Sequence, residues 1–220
     1  MKSIFEYLST KVKSSIIKAT NDNIQQIVKD EIKHLGNEAD LNHIDVSNVE
    51  NMNRLFYESE FNGDISNWDV SKVKDMRGMF FRSEFDGDIS NWDVSKVENM
   101  AGMFKYNEFN GNISNWDVSN VRDMNTMFQQ SKFNGDISTW DTHNVITMFG
   151  MFAGAEFNND ISNWDVRNVK NMQYMFYDNK KFKKDLSKWE TNDNVDYAYC
   201  FVNTKMLKIK KYWPHKWPWE

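Results

Sequence analysis

Cysteine is nearly absent from this 220-residue sequence, and the single Cys200 has no partner for an intramolecular disulfide. Proline occurs twice and glycine nine times, which excludes collagen-like, Pro-rich and Gly-rich low-complexity chains. No apolar run is long enough to cross a bilayer as a helix. The opening Met1-Lys2-Ser3-Ile4-Phe5-Glu6-Tyr7 lacks the continuous apolar stretch of a secretory leader. Charge of one sign is not in excess either: a net charge of −5 provides no basic field to draw nucleic acid or an anionic membrane surface. These absences give the expectation of a reduced, cytoplasmic protein with no transmembrane segment and no nucleic-acid partner. A cell-surface location is the alternative if a leader has been removed.

What the chain has instead is large apolar side chains, with 13 Met, 16 Phe and 9 Trp. They recur. Trp68, Trp92, Trp116, Trp140, Trp164 and Trp189 are separated by 24, 24, 24, 24 and 25 residues, a period in the range of solenoid repeats. The unit Phe61-Asn62-Gly63-Asp64-Ile65-Ser66-Asn67-Trp68-Asp69-Val70-Ser71-Lys72-Val73-Lys74-Asp75-Met76-Arg77-Gly78-Met79-Phe80 restarts at Phe85, Phe109, Phe133, Phe157 and, with one inserted residue, Phe182. An abbreviated unit precedes them, with Leu41, Ile44, Val46, Val49, Met52, Leu55 and Phe56 in register. Within a unit, Val73, Met76, Met79 and Phe80 mark one face of a helix. Asp64 to Trp68 is short, holds a β-branched and an aromatic residue, and reads as a brief strand after an Asn-Gly turn signal. The expected fold is therefore an α/β solenoid: a leucine-rich-repeat-like right-handed coil of about seven 24-residue turns, each a short parallel strand plus a short helix. Its core would consist of Phe, Ile, Trp, Val and Met ladders buried between neighbouring coils.

The ends do not repeat. Residues 1–36 read as an N-terminal helical cap, with one stripe at Ile4, Phe5, Leu8, Val12, Ile16 and Ile17. A second helix starts at Asn21 or Asp22, carries Ile24, Ile27, Val28, Ile32 and Leu35, and stops at Gly36. The solenoid occupies residues 37–201. Residues 202–220 form a C-terminal tail in which lysines interleave with Tyr212, Trp213, Trp217 and Trp219. Such a tail suits either a single-stranded nucleic acid or, as the favoured reading, closure of the last coil.

The polar ladders carry little chemistry. Asp69, Asp93, Asp117, Asp141 and Asp165 would stack as like charges, which is relieved if each carboxylate caps backbone amides at a helix start. Calcium between coils is the less favoured solution. Ser66, Ser90, Ser114, Ser138, Ser162 and Ser187 are too uniform for a nucleophile, which needs one activated copy. His34, His43, His143 and His215 fall at no metal-ligand spacing. The chain is expected not to be an enzyme and to need no cofactor.

The string Phe-Asn-Gly-Asp-Ile-Ser-Asn-Trp-Asp-Val-Ser-x-Val-x-x-Met-x-x-Met-Phe closely resembles the BspA-like leucine-rich-repeat family, the bacterial surface-protein repeat of about 25 residues and unknown function. The likeness covers about residues 41–201. It implies a leucine-rich-repeat-like solenoid and a role in protein binding or adhesion, and it implies no catalytic residues.

Fixed positions build such a body and varying ones face a partner. One varying stripe follows the Met-Phe pair and includes Tyr57, Phe81, Tyr106 and Tyr177. The other lies outward on the expected helix, where Ile146 and Phe149 replace charged or small residues and Tyr174 replaces a glycine. These seven are the candidate partner-binding residues, for a protein partner or a second copy of the chain. The alternative function is a surface adhesin for host protein or glycan. The alternative for Ile146 and Phe149 is that an irregular fifth coil, altered at Thr142 and His143, tucks them inward.

Overall fold

In the computed structural model, which describes residues 16–217, consecutive units stack in register through their backbones. The amides of Met52, Arg54, Phe56 and Glu58 donate to the carbonyls of Asp75, Arg77, Met79 and Phe81 at 2.8–2.9 Å, and the same four positions repeat this at every junction up to Asp178 and Val202. Isolated parallel bridges run Asn51↔Asp75↔Asn99↔Asp123↔Thr147↔Asn171↔Asp196.

This pairing corrects the expectation of one strand and one helix per unit. Strand β1 (Ile17–Lys18), helix α1 (Ile24–Leu35), strand β2 (Ile44–Asp45) and two 3-10 turns at Met206–Lys208 and Lys210–Tyr212 are the regular elements among the described residues. The segment Val73–Phe80, read as a helix, is a run of β-turns, with Met79 N–H bonded to Met76 O, Phe81 to Gly78 O and Ser83 to Phe80 O. An α-helix needs the Phe80 amide for Met76 O; here it crosses to Met103 O of the next unit. The backbone also turns left-handed at Gly78 (φ 60°) and Arg82 (φ 51°), as it does at the equivalent pair in every unit. Successive turns closed by a bond from residue i+3 bring Met76, Met79 and Phe80 to one side, and so imitate the helical spacing. Asp64–Trp68, read as a strand, contributes a single bridge to Asp40 and then turns, Trp68 N–H closing on Ile65 O.

Corners are made by side-chain oxygens. In the second unit Asp64, Asp69 and Asp75 each accept from the amide two residues on, at Ser66, Ser71 and Arg77 (2.8, 3.1 and 2.9 Å). These are Asx turns, so the aspartate ladder caps turns and not helix starts. Repulsion between neighbouring rungs exists, Asp64 acting on Asp88, but ranks below the bonds from Ser90 that hold Asp88 below the usual carboxylate range.

Inside, the expected ladders are buried, with half-buried rungs at the ends of the stack, Leu55 and Tyr197. Phe56, Phe80, Phe104 and Phe128 stack ring on ring at 5.5, 5.5 and 5.7 Å. Each is backed by the Phe that opens the next unit, as Phe80 by Phe85 at 4.4 Å. That ring lies so close to Gly87 that a Cβ there would sit 2.8 Å from it, which explains the Phe-x-Gly spacing. The tryptophans are 3–4 % exposed and each spans a junction: Trp116 Nε1 donates to Ile89 O at 3.1 Å, and Trp68, Trp92, Trp140, Trp164 and Trp189 repeat the bond to Leu41, Ile65, Ile113, Ile137 and Ile161. Asn179 absorbs the inserted residue before Phe182, its Oδ1 accepting from both Lys181 and Phe182 at 2.9 Å.

At the N-terminal end α1 buries Ile24 and Val28 on the first unit and stops at Gly36 (φ 96°), whose amide closes on Ile32 O. Its N-cap is Asn23, not Asn21 or Asp22. Asn21 instead accepts from Glu50 and Asn51 of the first unit. Ile17, expected on a helical stripe, lies in β1, paired in parallel with β2 at Ile44; Ile16 is exposed, and Ile4, Phe5, Leu8 and Val12 lie outside the described residues. At the other end Trp217 stacks on Tyr197 at 4.2 Å, and Met206 is buried.

Replacing Trp116 by Phe keeps most of the apolar contact but leaves Ile89 O without its donor, at a cost of about 1–3 kcal/mol. Trp116→Ala should cost about 3–5 kcal/mol. Urea unfolding should rank wild type above Trp116→Phe above Trp116→Ala.

The bonds from Ser90, Ser138 and Ser162 lower the pKa values of Asp88, Asp136 and Asp160. A depressed carboxylate contributes stability that is present above the unfolded value of about 3.9 and is lost as pH falls through the folded one. The fourth unit already carries Asn112 here, accepting from Ser114. The triple variant Asp88→Asn, Asp136→Asn, Asp160→Asn should therefore fold at pH 7 and lose less melting temperature than wild type between pH 5 and pH 3.

Candidate functional site

Four columns of varying residues share one side of the stack, because they alternate with the buried Met, Met and Phe of each turn run. In the second unit they are Arg77, Gly78, Phe81 and Arg82. The two left-handed positions, the Gly78 and Arg82 types, carry Gly78, Gly102, Gly150 and Gly154 in some units and bulky residues in others. Tyr106 (φ 57°), Tyr174 (φ 57°) and Tyr199 (φ 60°) all take this conformation, which is costly for a side chain with a Cβ. A glycine position filled by tyrosine puts side-chain chemistry ahead of backbone ease.

The seven candidate residues fall into two clusters. In the first, Tyr57 and Phe81 stack at 4.7 Å with 2° between the rings, and Tyr106 meets Phe81 edge-on at 5.8 Å. Cations surround them: Arg54 lies 5.2 Å from the Tyr57 ring, Arg82 4.9 Å from Tyr106, and Lys105 5.3 Å from Tyr106 and 5.8 Å from Phe81. Tyr57 and Tyr106 are exposed, Phe81 half-buried. Burial, then Arg82, pushes the Lys105 ammonium below its ordinary pKa.

The second cluster is uncharged. Phe149 meets Tyr174 edge-on at 5.6 Å, and Tyr174 contacts Tyr177 at 5.5 Å and stacks on Tyr199 at 4.9 Å. Tyr199, 57 % exposed, extends the cluster beyond the expected seven; its register with Tyr174 is the signal that finds it. Ile146 and Phe149 are half-buried and stand outside the core. The fifth unit absorbs its irregularity elsewhere: Thr142 replaces a valine, is fully buried, and donates from Oγ1 to Asp165 O at 2.9 Å. Unit four, between the clusters, carries Asn125, Thr126, Gln129 and Gln130 on this face, and small residues, Gly150, Ala153 and Gly154, lie beside Phe149 in the fifth unit, with the Gln130 side chain over Gly154.

On the Asp64–Trp68 segment the asparagine column (Asn67, Asn91, Asn115, Asn163, with Thr139 and Lys188) is exposed and the serine column half-buried. In the tail, Trp213 and Trp217 turn to Phe201, while Lys216 pairs with Asp193 at 2.8 Å. Trp219 lies outside the described residues. Cys200 is buried, and burial pushes its thiol pKa up, away from a reactive thiolate. Among the described residues no group of three or more His, Cys, Asp or Glu side chains is placed to hold a metal ion. No helix among them is long and apolar enough to cross a membrane.

A constant interior and a varying face define a tandem-repeat protein. The chain belongs to the family described as Mycoplasma protein of unknown function, DUF285, whose model matches residues 22–132 and again 105–213. No curated protein and no solved structure matches it.

Tyr174→Gly removes ring contacts from the second cluster but returns the backbone to the residue that Gly78, Gly102 and Gly150 use. Its melting temperature should stay within about 2 °C of wild type, the relief of a left-handed tyrosine offsetting lost contacts of similar size. A fall of more than about 5 °C would assign Tyr174 a packing role.

Proposed function

We propose that this chain is a non-catalytic protein-interaction scaffold, a right-handed leucine-rich-repeat-like solenoid of the BspA-like type. The aromatic residues of its varying face contact a protein partner. The observation that carries the reading is the placement of Tyr174 and Tyr199 at a left-handed position where three other units have glycine, with Tyr106 at the companion left-handed position that Gly154 fills. Core packing requires none of these rings there, and strained positions that persist mark sites where another demand outweighs stability. Exposed aromatic residues grouped beside small ones also suit an interface, where rigid rings supply contact area at low entropy cost. The uniform units make catalysis a poor fit, since a reactive constellation needs one distinctive copy.

The test is a cross-linking pull-down with the full chain as bait, set against the paired variant Ile146→Asp, Phe149→Asp. Both positions stand outside the core, so the variant should melt with the wild type and lose most of the partner the wild type recovers. Equal recovery by the folded variant would remove the second cluster from the interface.

A further inference from the structure

The first cluster differs from the second in charge, and the difference runs against the chain as a whole. On a protein of net charge −5, Arg54, Arg82 and Lys105 gather around three rings with one close carboxylate, Glu58, which reaches Arg82 at 3.4 Å. Among the described residues neither Arg54 nor Lys105 has a carboxylate within salt-bridge distance. Their contacts are the ring faces of Tyr57, Phe81 and Tyr106.

We propose that Arg54, Arg82 and Lys105, on the ring platform of Tyr57, Phe81 and Tyr106, bind an acidic polypeptide segment lying along the stack. This deepens the scaffold reading above and rests on it. Three observations carry it. The cations come from three successive units, one each, in three neighbouring columns (Arg54 of the Gly78 type, Arg82, and Lys105 of the Phe81 type), so they form a staggered row that advances one unit, about 5 Å along the stack, per cation. Carboxylates on an extended chain reach such a row more readily than a single small anion does. The ring faces are already engaged, Tyr57 and Phe81 with each other and all three rings with cations, so a sugar ring has little free face to stack on. The unmet group is the positive charge: a half-buried ammonium beside a guanidinium is disfavoured, and an incoming carboxylate relieves both.

The row also opens at one end into a cleft of about 340 Å³ between α1 and the first unit. Arg54 and Tyr57 belong to both, and Lys29 and Gln25 line the opposite wall. A segment leaving the row at Arg54 enters a cleft lined by a further cation.

The experiment is fluorescence anisotropy on the full chain with a labelled twelve-residue peptide alternating Glu with Gly and Ser. A Lys-for-Glu version of that peptide and labelled oligogalacturonate are the controls. The expected result is saturable binding of the acidic peptide, weakened by salt, with none of the lysine peptide. Arg82→Glu with Lys105→Glu should weaken it at least ten-fold and leave the melting curve in place; Arg82→Gln with Lys105→Gln, which brings no new repulsion, should weaken it less but measurably. Ile146→Asp with Phe149→Asp should leave it unchanged. Equal binding by wild type and both charge variants, no binding, or oligogalacturonate binding as tightly as the peptide would each overturn the proposal. So would a dimer in light scattering that dissolves in the charge variants while the peptide fails to bind. If the acidic peptide fails but the pull-down still depends on Ile146 and Phe149, only this inference falls and the scaffold reading stands.

Discussion

Every level of this structure depends on one backbone contact, the amide of a turn residue donating to the carbonyl that lies one unit further along. Four such bonds close each junction, as from Gly78 to Ala101 and Phe80 to Met103. A net hydrogen bond is worth only about 1 kcal/mol, yet these bonds fix geometry that nothing else fixes. They hold neighbouring units in register, so identical residues face each other, and the phenylalanine, methionine and tryptophan ladders follow. They also consume the amides an α-helix would use. A segment of helical spacing thereby becomes a run of turns, and a unit that could not fold alone becomes stable between its neighbours.

The same contact divides the residues into two populations. Positions facing inward meet copies of themselves and are held constant by packing. Positions on the turn side meet no such constraint except at the left-handed pair, where glycine is the easy answer. The chain departs from that answer at ten of the fourteen positions, and at three of these, Tyr106, Tyr174 and Tyr199, the departure is aromatic, with Phe81, Phe149 and Tyr177 beside them. The result is a cationic aromatic cluster over the first three units and a neutral one over the last three, with uncharged polar residues on the unit between. Variation is thus concentrated where the backbone ladder leaves side chains free.

Much of this was legible from the order of residues. The period, the unit boundaries, the buried ladders and α1 with its stop at Gly36 all follow from apolar spacing and turn chemistry, because packing repeats whenever the sequence does. The aspartates were legible as local acceptors, though they cap Asx turns instead of helix starts. The junction bond from Trp116 to Ile89 O was not legible, since an indole N–H buried at regular spacing looks the same whether it bonds within its unit or across to the next. Nor was the role of Asn179, whose two accepted bonds exist only because the chain bulges there.

By itself the sequence determined that identical units recur, which side chains they bury and which positions vary, because these depend on composition and period alone. Tertiary structure decided what the units are made of. Met76-x-x-Met79-Phe80 satisfies a helix and a turn run equally well, and the choice falls to whether its amides find carbonyls along the chain or across to the next unit. It also decided that Tyr57, Phe81 and Tyr106, separated by 24 and 25 residues, share one patch with three cations. Only the stacking of units brings them within contact distance.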